Sequence, residues 1–339
     1  MSRIQNPEQL RLSQVAHSSQ TGVTAVVPTT AFARDIEVSE VGPRDGLQSI
    51  SQIMPTEAKK RWIKALALAG VPEIEVGSFV PARIFPQFAD MMEVAQYART
   101  IEGLKVAVLV PNLKGAEQAI MAGVHKLTIP ISVSETHSLR NVNRTHVQML
   151  DEVKSIVELI RQLPINERPT IEGALSTAFG CTIEGSVSED RVEGLAVALM
   201  EAGCDEVGLS DTTGYANPVQ VRRLIGKVWS AIGREHLTGI HLHNTRGQGL
   251  ANVLAAVEVG LTTIDSSMGG IGGCPAAPGA SGNIVTEDLV FLLEAMGLKT
   301  GIDFDRLIAA RNVVATALPD VELYGFTPAA GLPLSSPLK

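Results

Sequence analysis

Two rhythms of apolar and polar positions alternate along this chain. From residue 36 onward, short runs rich in Val and Ile trade places with longer stretches whose apolar residues recur at helical spacing, as in repeated βα units. Strands are expected over 36–41, 73–79, 105–110, 125–131, 170–176, 206–210, 240–243 and 262–267. Helices are expected over about 55–69, 89–101, 114–122, 145–163 and 188–202, from about 217, over 247–259, and from 286. Local punctuation agrees: Pro55-Thr56-Glu57 opens the first helix, and Gly70 and Pro72 close it. Residues 132–144 form a polar connection, the longest up to that point, and 302–318 read as one more helix before a frayed 332–339.

Eight such units between 36 and 296 match the ~250 residues of a (β/α)8 barrel. A doubly wound sheet is the alternative that pattern alone leaves open; eight units in a row and polar clusters at many strand ends favour the barrel. The expected fold is therefore α/β: a TIM barrel over 35–300, preceded by an N-terminal arm over 1–34 and followed by a C-terminal helix and tail over 301–339 packed on it. In the arm, Pro28 interrupts the short apolar stretch before Ala31-Phe32-Ala33, and Glu8 lies between Arg3 and Arg11, which does not suit a secretory signal. Its three arginines are few for a mitochondrial transit peptide, so the cytoplasm is expected, with the mitochondrial matrix as the alternative.

Composition narrows the partners. A chain of 339 residues that is 45% hydrophobic can build a large core. A net charge of −8, with 28 basic residues scattered among 36 acidic ones, argues against nucleic acid or an anionic membrane. No apolar run reaches the ~18 residues of a membrane span. The three cysteines, Cys181, Cys204 and Cys274, are odd in number and far apart, which fits a reducing compartment rather than a disulfide framework.

Barrel enzymes place their chemistry at the C-terminal ends of the strands. There this chain offers Arg44 and Asp45 after strand one, Glu75 on strand two, Asp211 after strand six, and His241 and His243 on strand seven. Positions i and i+2 of a strand share a face, so both imidazoles are expected to point into the barrel, where Val or Ile would be usual. With Asp45 two strands away around the ring, two nitrogens and an oxygen suit a moderately hard divalent ion, Mg2+ or Mn2+, with Zn2+ as the alternative. Arg44 and Asp45 can equally be a buried ion pair; beside a metal, the fixed guanidinium suits a developing oxyanion. An inward Glu75 needs a partner, and Arg44 is the natural one. Asp211-Thr212 serves a turn as readily as a site. After strand eight comes a glycine-rich stretch, 265–283, in which Gly269, Gly270, Gly272 and Gly273 precede Cys274. A thiol in such a loop can move a proton if its pKa is tuned. Cys181 and Cys204 read as small buried residues.

Val41-Gly-Pro-Arg-Asp-Gly-Leu-Gln48, His241-x-His243, and Gly269-Gly-Ile-Gly-Gly-Cys-Pro275 with Gly279-Ala-Ser-Gly-Asn283 together resemble the 3-hydroxy-3-methylglutaryl-CoA lyases. These belong to a wider group of metal-dependent barrel lyases and Claisen condensing enzymes with an Arg and an acid at the end of strand one. The likeness runs over about residues 35–320, and the cysteine loop is its lyase-specific part. It implies retro-Claisen cleavage of a 3-hydroxy-3-substituted glutaryl-CoA to a 3-oxo acid and acetyl-CoA. Asp45, His241, His243 and Asn283 would ligand Mg2+ or Mn2+. Arg44 would stabilise the acetyl-CoA enolate, Glu75 would hold Arg44, and Cys274 would protonate the enolate carbon as its loop closes. The implied partners are an acyl-CoA thioester and further copies of the chain, as a dimer or tetramer. A Claisen-condensing synthase and a non-catalytic metal- or acyl-CoA-binding barrel are the alternatives. Three departures stand out: relatives carry a Lys a few residues after the strand-one motif, where this chain reads Gln48-Ser-Ile-Ser-Gln-Ile; many read Asp-Thr where it has Asn244-Thr245; and Ile129-Pro130-Ile131-Ser132 replaces a Phe-Gly at the end of strand four. The acyl pocket is therefore expected to differ, with room for a larger or different substrate.

Overall fold

A computed structural model describes residues 34–272, 282–336 and 338. The expected arm, save Arg34, and Cys274 lie outside the described residues. Eight parallel strands close into a barrel in sequence order, β1 pairing with β8. They are β1 Glu37–Glu40, β2 Glu73–Ser78, β3 Lys105–Leu109, β4 Lys126–Ser132, β5 Thr170–Ser176, β6 Glu206–Ser210, β7 Gly239–His241 and β8 Thr263–Ser266. The outer helices, named in chain order, are α1 Thr56–Leu68, α2 Met91–Arg99, α3 Leu113–Ala122, α4 Glu135–Asn141, α5 His146–Arg161, α6 Glu189–Ala202, α7 Pro218–Ile232, α8 Gly249–Val259 and α9 Thr286–Ala295. Two more follow, α10 Phe304–Ala317 and α11 Phe326–Ala330.

Helix ends follow local chemistry. Asn112, Ser134, Thr145, Asn217 and Asp303 each cap a helix through a side-chain oxygen, and Thr145 with Gln148 completes a reciprocal capping box. Alternation along the strands divides the barrel into two regions. Outward residues such as Val38, Ile74, Val106, Leu127, Ile171, Leu209, Ile240 and Ile264 are buried beneath the helices, with Trp62, Ile63 and Leu66 of α1 among those covering them. Each contributes roughly 1.5–3 kcal/mol by leaving water. The inward positions are unlike the usual barrel filling of Val, Ile and Leu. They carry Ser39, Glu73, Glu75, Ala107, Thr128, Glu172, Ala174, Ser210, His241 and Asp265, which line cavities.

Four local features depart from the sequence expectation. The connection 132–144 contains α4, started by Ser134 accepting from His137 N at 3.1 Å. Gly42–Gly46 form a single π-helical turn directly after β1, with Asp45 N donating to Val41 O at 2.7 Å and Gly46 N reaching the same oxygen at 3.4 Å. Such turns recur at functional sites because they displace side chains from the α-helical register. Strand β7 ends at His241, so His243 lies beyond the regular ladder. A short helix, α11, closes what reads as tail.

Candidate active site

The π turn delivers Arg44 and Asp45 to the mouth of the barrel. Gly42 is required for it: a Cβ there would stand 2.5 Å from Glu40 Oε1 and 2.9 Å from the Trp62 ring. Glu40 faces outward and ties together the pieces that frame the mouth. Its Oε1 accepts from Gly42 N at 2.9 Å and Met268 N at 2.8 Å, and its Oε2 lies 2.6 Å from Thr286 Oγ1. Strand one, the segment after strand eight and the start of α9 therefore share one buried carboxyl.

Arg44 Nε donates to Glu75 Oε2 at 2.5 Å and Nη1 to Asp45 Oδ1 at 2.6 Å, the pairing expected from sequence. Burial works against the cation, but Glu75 first and Asp45 next hold Arg44 charged. The guanidinium is thus fixed in direction as well as in charge. Burial also works against the Asp45 carboxylate, yet Arg44, then His243 and His241, hold it well below the usual carboxylate range.

Both histidines turn to the same point although only His241 belongs to β7. Their Nε2 atoms are 3.1 Å apart, and Asp45 Oδ2 stands 4.0 Å from that of His241 and 3.8 Å from that of His243. His243 is held by a bridge to Asn283, with Asn244 N donating to Gly282 O at 2.7 Å. The far end of the glycine-rich stretch is pinned here. Asn283 Nδ2 donates to Asp45 Oδ2 at 2.7 Å and Ile271 O at 3.2 Å. Among the described residues, Asp45, His241 and His243 form the one group of three or more His, Cys, Asp and Glu able to surround a metal, with their ligand atoms within 4.8 Å of one another. The side-chain oxygen of Asn283 is buried without a hydrogen-bond partner beside this cluster. An orphaned acceptor, two imidazole nitrogens and a carboxylate held ionised fit a divalent cation.

A cavity of about 750 Å³ opens over these groups and runs into the barrel. Its outer walls carry Gln48, Arg83, His137, Arg140, Asn141 and Arg144, several of them from the unforeseen α4. Asp211, ambiguous by sequence, accepts from Tyr215 N at 2.9 Å and Ala216 N at 3.1 Å, so its carboxylate shapes the turn after β6. Asn244 Oδ1 accepts from Gly249 N at 2.9 Å, at the start of α8. Cys181 and Cys204 are buried, as expected.

The sequence model of the HMGL-like family matches residues 35–314. This chain belongs to that family. It is 37% identical to a mitochondrial hydroxymethylglutaryl-CoA lyase of Gallus gallus over 85% of its own length and 95% of the relative's. A mitochondrial hydroxymethylglutaryl-CoA lyase of Arabidopsis thaliana is also 37% identical, over 84% of this chain, which spans 59% of that longer relative. The structure of an HMG-CoA lyase from Acinetobacter baumannii, in complex with coenzyme A and 3-methylmalate, superposes with a TM-score of 0.82 at 41% identity, covering 88% of this chain and 96% of that one.

Within this HMGL-like barrel, two groups at the site went unassigned by sequence reasoning. Asp265 Oδ2 is 3.2 Å from His241 Nδ1 and fixes the ring so that Nε2 faces Asp45. Burial opposes charge on His241, but Asp265 and then Asp45 raise its pKa. The register pairs His241 with Asp265 across β7 and β8. An acid at an inward position of the neighbouring strand was the available signal. Glu40 left none, because an outward acid on a buried strand looks like an exception until its three partners are seen.

Proposed function

We propose that this protein cleaves 3-hydroxy-3-methylglutaryl-CoA, or a close 3-hydroxy-3-alkylglutaryl-CoA analogue, to acetyl-CoA and a 3-oxo acid, acetoacetate for the methyl substrate. The observation that carries this reading is the convergence of Asp45, His241 and His243 on one point beside the fixed Arg44–Glu75 pair. The named activity of relatives that align over most of the chain supports it. Asp45, His241, His243 and Asn283 would hold Mg2+ or Mn2+, which supplies Lewis-acid chemistry at the 3-hydroxyl oxygen.

The chain's own groups then divide the work. Asp45 Oδ2 accepts the proton leaving the 3-hydroxyl, while the Asp265 contact keeps His241 turned toward it. Breaking the C2–C3 bond places negative charge on the thioester oxygen of the departing acetyl unit. Arg44, held by Glu75, neutralises that charge as it forms, and needs no reorientation to do so. Cys274 is the proposed donor to the enolate carbon, carried by the glycine-rich loop. Arg83, Arg140 and Arg144 on the cavity wall provide cations for the phosphates of coenzyme A, which answers the missing lysine after the strand-one motif. The proposed setting is the cytoplasm, with the chain as a homodimer or homotetramer. Purified protein with Mg2+ and 3-hydroxy-3-methylglutaryl-CoA should release acetyl-CoA. Absence of cleavage across a panel of 3-hydroxy-3-alkyl analogues would overturn the assignment.

A further inference from the structure

The interior of the barrel below the candidate site is charged, and the charge is structured. Lys126 of β4 is buried with Nζ 2.6 Å from Glu172 Oε2, 2.8 Å from Glu206 Oε1 and 3.6 Å from Glu73 Oε1. Glu73 also meets Lys105 at 2.7 Å and accepts from Ser39 Oγ at 2.9 Å. Space has been made for this group. A Cβ on Gly208 would stand 2.1 Å from Glu172 Oε1, and Gly208 pairs in register with Gly239, where a second side chain is missing. A second cavity of about 230 Å³ occupies that room. It shares Glu73, Glu172, Ser210, His241 and Asp265 with the large cavity, so the two meet at the level of Glu172.

The cavity that holds Asp45 and His241 therefore continues inward onto polar groups. Besides Glu172, the residues of β4, β5 and β6 that line the large cavity are Thr128, Pro130, Ala174, Ser176 and Ser210. None of these is Val, Ile, Leu or an aromatic residue. We infer that Glu172, with Lys126 behind it and the Thr128, Ser176 and Ser210 hydroxyls lining the same cavity, is a specificity-determining residue that, among C3 substituents larger than methyl, selects those that can hydrogen-bond over alkyl ones. The inference rests on the lyase reading and sharpens its substrate class.

The physical reason is asymmetric desolvation. A longer alkyl group entering this chamber strips water from a carboxyl and an ammonium and returns no hydrogen bond, whereas an amide replaces the lost water contacts. Sites built to bond a polar group reject its apolar isostere far more strongly than apolar pockets reject the reverse. Burial pushes Glu172 up to about 7, so near neutrality its carboxyl is available as donor and as acceptor.

The test compares two thioesters of similar size, 3-hydroxy-3-(carbamoylmethyl)glutaryl-CoA and 3-hydroxy-3-isobutylglutaryl-CoA, with 3-hydroxy-3-methylglutaryl-CoA as the reference, by acetyl-CoA release from the full chain with Mg2+. Expected for the wild type is a kcat/KM at least about tenfold higher for the carbamoylmethyl than for the isobutyl substrate. Glu172→Leu combined with Lys126→Met, which removes both charges at similar volume, should shift that ratio at least about tenfold toward isobutyl. Glu172→Gln, which keeps shape and hydrogen bonding, should retain the wild-type order. If the double variant does not fold, the wild-type ratio and the Gln variant still decide. Cleavage of the methyl reference together with equal or better use of isobutyl overturns the selectivity while leaving the lyase reading intact. No acetyl-CoA from any of the three overturns the lyase reading, and this proposal with it.

Discussion

Arg44 shows how much one side chain depends on its neighbours. A surface guanidinium loses much of its field to solvent, but this one is partly buried between Glu75 and Asp45, where its charge and direction are both set before substrate arrives. Arg44→Gln should lower kcat by about two to three orders of magnitude, the usual loss when one oxyanion-stabilising donor is removed. Mn2+ affinity, read by calorimetry on the same variant, should change little, since Arg44 touches only one oxygen of Asp45 and the other faces the histidines. Loss of metal binding with preserved turnover per bound ion would make Arg44 structural instead. The pairing of Arg44 with Glu75 and the approach of Asp45 to both histidines were legible in the sequence because strand alternation and barrel closure fix them. The partner of Asp265 was not, since the inward acid within Thr263-Ile-Asp-Ser266 marks a polar position but not which residue it meets until register is known.

At the scale of elements, the mouth is assembled by contacts between pieces that sequence treats as separate. The (β/α)8 order was readable because Val and Ile runs face outward and helices recur between them. The π turn was not readable, because its geometry depends on Gly42 fitting against Glu40 and Trp62. The helix α4 was hidden by its polar composition, and the polar barrel interior by the Val and Ile that alternate with it. Glu40 is the joint among strand one, the segment after β8 and α9, and its chemistry is testable. Burial pushes it up to about 8 from an ordinary 4.5, despite opposing hydrogen bonds from Thr286, Met268 and Gly42. A neutral carboxyl suits the geometry: its O–H can donate to Thr286 Oγ1, whose own hydroxyl donates to Ser266 Oγ at 2.9 Å. The folded state then keeps a proton that the unfolded chain loses near the ordinary value. Its contribution to stability is full below about 4.5 and is lost progressively as pH rises toward about 8. Glu40→Gln copies the neutral acid, with an amide N–H in place of the O–H. Urea midpoints measured across that window should fall less steeply with pH in the variant than in the wild type. Identical slopes would show that Glu40 is ionised in the folded protein.

For the molecule as a whole, charge balance in the barrel and the anchoring of its rim bear on the same quantity. Buried or partly buried acids facing the interior include Asp45, Glu73, Glu75, Glu172, Glu206 and Asp265, against Arg44, Lys105 and Lys126. The C-terminal segment closes the rim: Arg311 Nη1 binds Glu287 at 2.7 Å and the Tyr324 carbonyl at 2.8 Å, and Tyr324 N donates to Gly269 O at 2.7 Å. Gly269 N in turn donates to Glu287 Oε2 at 3.0 Å, so the root of the glycine-rich stretch is fastened from α9 and from beyond α10. A barrel with this surplus of inward acid presents Asp45, His241, His243 and Asn283 already gathered, and a divalent cation relieves repulsion without having to reorganise them. Mn2+ at about one hundred times its Kd should therefore stabilise the fold by about 2.7 kcal/mol, the mass-action value for a ligand that binds only the native state. Thermal melts should rise on adding Mn2+, return on chelation with EDTA, and show no rise in His243→Ala. A wild-type melting curve indifferent to both Mn2+ and Mg2+ would mean that the cluster is a hydrogen-bonded core rather than a metal centre.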